Sequence, residues 1–136
     1  VMYAAAELQH MPTARILGYA APQPTSGIIQ AWLQCCLDTK DMAEAERAWS
    51  FMHEQNIIPT ATCFERMARM HLMQEQYEEA FTLLEQTKQC ALVPTRRMYA
   101  AMIWTCWQHN DERWRDLMQE MQEARYEPGE RLRALN

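Results

Sequence analysis

Four prolines set the period of this chain. Pro24, Pro59, Pro94 and Pro128 are separated by 35, 35 and 34 residues, and each precedes a new stretch of helical hydrophobic periodicity. Their contexts agree, reading Gln23-Pro24-Thr25, Ile58-Pro59-Thr60, Val93-Pro94-Thr95 and Glu127-Pro128-Gly129. A proline pushes its predecessor out of the helical region, and the threonine after it is suited to cap the next helix by accepting from a free backbone N–H. A fixed period of this length predicts a stack of identical supersecondary units over 26–60, 61–95 and 96–129.

Within each unit the apolar residues recur twice at helical spacing. The middle unit offers Phe64, Met67, Ala68, His71 and Leu72, then a polar break at 74–76, then Tyr77, Ala80, Phe81, Leu83, Leu84 and Thr87. The first repeats the scheme with Ile29, Trp32, Leu33, Cys36 and Leu37, a break at 39–41, and Met42, Ala45, Ala48, Trp49 and Met52. The third has Tyr99, Met102, Ile103, Cys106 and Trp107, then Trp114, Leu117, Met118 and Met121, with one residue missing near its break. Two short helices cannot bury both apolar faces alone, so successive hairpins must stack, and the expected fold is an all-α solenoid. Residues 1–24 echo the third unit in Met2-Tyr3-Ala4-Ala5 but are eight residues short, which predicts a partial or irregular leading unit. Residues 130–136 look like the opening turn of a further helix, so the natural chain is expected to continue.

Composition excludes several function classes. No stretch approaches the length of a membrane span, since the richest apolar window, 98–107, is too short. The five cysteines, Cys35, Cys36, Cys63, Cys90 and Cys106, are odd in number and form no CxxC pair, which argues against zinc or a disulfide framework and fits a reducing compartment; the adjacent Cys35 and Cys36 are expected to fill the core rather than sense redox state. The four histidines never approach one another or a cysteine at ligand spacing, and no phosphate loop, nucleophile elbow or paired carboxylates occur. Hence no enzyme, cofactor, metal or small-molecule substrate is expected. Net charge is −5, with the excess acid between residues 25 and 95, where nucleic-acid binders usually carry a basic face. Trp32, Trp49, Trp107 and Trp114 fall on the stacking rows and are expected in the core, whereas Trp104 lies off the row as a candidate protein contact. The arginine-rich last third, from Arg96 to Arg133, suits a solvated, salt-bridged face better than a phosphate-binding one.

The repeat resembles the pentatricopeptide unit, a 35-residue helix-turn-helix. Phe64 and Tyr99 fill its opening aromatic slot, Ala45 and Ala80 its small slot, Met52 and Met121 its methionine slot, and Pro59, Pro94 and Pro128 its closing slot. The tetratricopeptide unit is the nearest competitor at 34 residues, but its Trp-x-x-Leu-Gly-x-x-Tyr signature is absent. The resemblance covers about three-quarters of the chain. In RNA-reading members of that family, the residue after the aromatic slot and the residue after the closing proline together choose a base, using short polar side chains. Here the pairs are Gln30 with Thr60, Glu65 with Thr95, and Ala100 with Gly129. Glu65 would place a carboxylate beside the phosphate chain, and Ala100 with Gly129 has no side-chain donor or acceptor. The apolar wedge between bases is replaced by Gly27, Thr62 and Arg97, and a basic residue near the end of the first helix by Asp38, Met73 and Gln108.

The resemblance therefore implies a scaffold that holds protein subunits, and RNA mainly through its backbone, in an organellar ribonucleoprotein such as a mitochondrial ribosome. The alternative is a sequence-specific organellar RNA-binding protein whose readable units lie outside this segment. The family's usual home implies the mitochondrial matrix, with the chloroplast as the alternative.

Overall fold

The computed structural model describes residues 25–135; the leading unit expected over 1–24 lies outside the described residues, as does Asn136. The described residues form seven helices and no strand: α1 (Ser26–Thr39), α2 (Met42–Glu54), α3 (Ala61–Met73), α4 (Tyr77–Gln89), α5 (Arg96–Gln108), α6 (Arg113–Glu123) and α7 (Glu130–Arg133). No helix among them is long and apolar enough to cross a membrane.

The helices start where the prolines place them. Thr60 and Thr95 sit in extended backbone, and their hydroxyls accept from Cys63 N at 3.3 Å and Met98 N at 3.1 Å. Asp41 caps α2 in the same way, accepting from Glu44 N at 3.0 Å. Thr25 has the extended conformation but no side-chain capping bond.

The stops recur with the same period. Lys40, Glu75 and Asn110 close the first helices at φ 56°, 59° and 56°; Asn56, Ala91 and Arg125 close the second at φ 53°, 59° and 66°. Behind each runs a backbone bond that reaches over the left-handed residue to a carbonyl in the last turn. Asp41, Gln76 and Asp111 donate to Cys36, His71 and Cys106 at 3.0, 2.9 and 2.8 Å. Ile57, Leu92 and Tyr126 donate to Met52, Thr87 and Met121 at 2.9, 3.1 and 3.1 Å. The first-helix stops are spaced by 35, the last pair of second-helix stops by 34, so the missing residue of the third unit falls between Asn110 and Arg125. It is absorbed at the start of α6, where Trp114 N and Arg115 N reach back three residues to Asp111 and Glu112, and α6 has 11 residues where α4 has 13.

Four of these six left-handed positions carry side chains that disfavour that conformation, at about 1–2 kcal/mol each relative to glycine. Ala91→Gly is therefore expected to stabilise the fold by about 1 kcal/mol and raise Tm by a few degrees, and Ala91→Val to lower it. Thermal melting followed by circular dichroism checks both directions.

Successive first helices pack on one another, α1 on α3, α3 on α5 and α5 on α7, while each second helix packs on its own first helix and α2 also touches α3. The first helices thus form one closely packed layer and the second helices an outer layer. Between them lie Ile29, Trp32, Leu33, Ala45, Met52, Phe64, Met67, Ala80, Leu84, Tyr99, Met102, Ile103 and Met121, all buried. Ala45 and Ala80 are fully covered, because the helices approach too closely there for a larger side chain.

The tryptophan expectation needs correction. Trp32 is fully buried, and Trp49 and Trp114 are half-buried against the core, but Trp107 is 38% exposed. The four-residue α7 that packs on α5 is too short to cover the whole of that 13-residue helix, and Trp107 in its last turn stays in solvent.

Candidate partner-binding surface

Two of the three residue pairs at the slots where RNA-reading members choose a base are closed on each other. Gln30 projects from α1, and its Nε2 donates to Thr60 Oγ1 at 2.7 Å, thirty residues on. At the next boundary the partners change but the geometry holds, with Thr95 Oγ1 donating to Glu65 Oε1 at 2.9 Å. Each threonine hydroxyl also accepts the capping N–H of its own helix, so Thr95 uses its proton and a lone pair within the fold. Glu65 is 7% exposed, and its Oε2 takes the Arg69 guanidinium at 3.4 Å. Thr95 and Arg69 both lie within reach, and pairing with them turns the charge into the unit boundary. A further clip crosses the first boundary, where Arg66 Nη1 donates to the Gln30 carbonyl at 2.6 Å.

The third pair has nothing to close with. Ala100 and Gly129 carry no polar side-chain atom, and a Cβ added to Gly129 would lie 3.6 Å from Arg96 Nη2, an ordinary contact. In place of the hydrogen bond there is a hollow of about 300 Å³ between α5 and α7. The off-row Trp104 lies on its wall, half-buried, with the Arg131 guanidinium 3.5 Å above its ring and Trp107 nearly parallel at 5.4 Å. Arg97 is exposed beside it, while Gly27 and Thr62 of the wedge row are half-buried. Asp38, Met73 and Gln108 are exposed at the far ends of their helices.

Charge is segregated between the layers. The first-helix layer carries Arg66, Arg69, Arg96, Arg97, Arg131 and Arg133, opposed by Asp38, Glu130 and the already paired Glu65. The second helices carry Glu44, Glu46, Glu54, Glu78, Glu79 and Glu85 along α2 and α4, with Asp116, Glu120 and Glu123 on α6, opposed by Arg47, Lys88, Arg113 and Arg115. The net charge of −5 thus conceals a basic layer and an acidic one, which the linear order of the chain interleaves.

The outer layer's close ion pairs are structural. Arg113 lies over the Phe81 ring at 3.8 Å and binds Asp111 at 2.6 Å and Glu78 at 2.8 Å, tying α6 to α4. Its hydrogen bonds hold both carboxyls below the usual carboxylate range and raise its own pKa. Lys88 meets Glu120 at 2.6 Å; burial pulls its pKa down, but the pairing outweighs this and the net shift is upward.

The adjacent cysteines are core residues. Cys35 and Cys36 are both buried, and burial, reinforced by the charge of Glu44, pushes the Cys36 thiol up to about 12. Cys106 rises to about 11, again chiefly through burial, with Asp111 contributing. Thiols so shifted stay protonated at neutral pH, the form that is the poorer nucleophile. Cys90 is the exposed one.

The sequence matches no family model and no curated protein. Its structure is similar to the crystal structure of the pentatricopeptide repeat protein PPR10 from maize, with a TM-score of 0.68 at 16% identity, over 97% of this chain. The chain spans 20% of the length of that protein's chain. The expected resemblance therefore holds at the level of the fold: this is a solenoid of stacked helical hairpins of the pentatricopeptide repeat type.

Proposed function

We propose that this solenoid is a non-enzymatic scaffold that holds protein neighbours in a ribonucleoprotein and touches RNA through its phosphate chain without reading sequence. The observation that carries the reading is the closure of Gln30 on Thr60 and of Glu65 on Thr95. Donors and acceptors engaged inside the fold must be broken out before they can meet a base edge, and a buried polar group left unpaired costs about 1–3 kcal/mol. The third pair, Ala100 with Gly129, has no such group to free. Backbone contact is supported separately by Arg66 and Arg69 along the first-helix layer, through the N–H donors that their single bonds to the Gln30 carbonyl and to Glu65 leave over. A mitochondrial assembly, such as the ribosome or an RNA-processing complex, is the proposed setting, with the chloroplast second. It rests on the repeat resemblance alone.

Fluorescence anisotropy with unstructured RNA oligomers tests the reading. The expected result is weak binding at physiological salt, nearly equal for oligomers of different sequence. If these two arginines supply it, log K should fall with log salt at a slope of about −1.4. Tight binding to one sequence, with a shallow salt slope, would overturn the scaffold in favour of a sequence reader.

A further inference from the structure

Of the three unit boundaries among the described residues, two are sealed by a side-chain hydrogen bond and one is open. The open one is chemically particular. The walls of its hollow of about 300 Å³ are apolar, formed by Ala100, Ala101, Leu132 and the Trp104 indole. Its rim carries Arg96, Arg97 and Arg131. Arg96 is tethered by its Nε, which donates to the Glu127 carbonyl at 2.8 Å. The Arg131 guanidinium stands over the Trp104 ring, 3.5 Å from its centre, which holds the cation at the rim of the hollow. Neither Arg97 nor Arg131 forms a hydrogen bond or ion pair with another described residue, and the nearby Glu127 carboxylate is engaged by Arg133 at 3.1 Å. Two unpaired guanidiniums beside an apolar hollow match a carboxylate attached to an apolar neighbour.

We propose that the α5–α7 hollow is a docking site for an acidic peptide segment of a protein partner. An Asp or Glu side chain is held by Arg131 and Arg97, and the adjacent apolar side chain enters against Ala100, Ala101 and Leu132. This rests on the scaffold reading and names the chemistry of one neighbour. RNA fits the same place less well. The ring face of Trp104 on which a base would stack is covered by Arg131, and Ala100 with Gly129 has no side chain to meet a base edge. The hollow is at the small end of ligand sites, so a short segment is expected to bind with Kd on the order of tens of micromolar.

The test uses the 136-residue chain and three fluorescein-labelled probes: a peptide alternating Asp and Glu with Leu, its Asn/Gln counterpart, and an oligouridine. The acidic peptide is expected to bind at least tenfold more tightly than its neutral counterpart, and Arg97→Ala and Arg131→Ala each to weaken it at least fivefold. The double variant Ala100→Gln with Gly129→Thr rebuilds the pair that seals the first boundary, and it is expected to abolish peptide binding while melting as the parent does. Absence of acidic-peptide binding, or equal binding to the filled variant, would overturn the proposal. So would oligouridine binding that these substitutions remove while the peptide is ignored, since the hollow would then be an RNA site. Failure here leaves the scaffold standing, because that reading falls only to tight, sequence-selective RNA binding.

Discussion

Ala80→Glu is expected to take the middle unit out of the cooperative fold. Ala80 is fully buried on α4, where that helix packs on α3, and the residue after the next turn, Leu84, is also covered. A glutamate there adds four heavy atoms to a closed contact and places a carboxylate among buried apolar side chains. Overpacking alone costs about 1–3 kcal/mol, and an unpaired buried charge several more unless it protonates. The sum, roughly 4 kcal/mol or greater, is comparable to the whole stability of many small domains. Because each hairpin contacts only its neighbours, losing the middle one also separates the first from the third. Circular dichroism should show a low, broad melt, while Glu79→Ala, at the exposed neighbouring position, should melt as the parent does. A parental melt for Ala80→Glu would show that the repeat register is wrong.

Trp32→Ala is expected to be nearly as severe but confined. Trp32 is fully buried in α1 and tilts against Phe51 of α2 at a ring separation of 5.6 Å. Removing a buried aromatic of this size costs about 3–5 kcal/mol, counting the cavity left behind. In a solenoid that loss falls on the unit containing it and on the boundary with α3. Amide exchange should therefore accelerate across α1 and α2 while α5 and α6 keep most of their protection. Uniform acceleration along the chain would mean a single cooperative body rather than a stack of hairpins.

The proline period and the twice-recurring hydrophobic spacing made the helical hairpins legible before any coordinates. The spacing of 34 at the end also announced a residue lost in the third unit. The helix stops were not legible, because the usual signal is glycine and here Lys40, Glu75, Ala91 and Arg125 occupy the left-handed position. Only the two asparagines, Asn56 and Asn110, are residues that such a position favours. Trp107 was misplaced because helical spacing says which side a residue faces, not whether a neighbouring helix is long enough to cover it.

The surface was less legible than the core. Gln30, Thr60, Glu65 and Thr95 were identified as departures from a base-reading pattern, yet nothing in one unit says that these pairs bond to each other. The signal existed in the comparison of units: a hydroxyl follows each of the first two closing prolines, and thirty residues earlier stands a side chain able to bond it. Segregation of charge was hidden for a different reason. First and second helices alternate along the chain, so a window sum averages the arginines of one layer with the glutamates of the other.

Selection from a random-sequence RNA library measures base readout directly. The closed pairs predict that repeated rounds against the purified chain yield no shared motif, and that whatever RNA is retained is released by moderate salt. Recovery of a common motif that Gln30→Ala or Glu65→Ala alters at one defined position would contradict the account, because those side chains would then be facing RNA rather than the next helix.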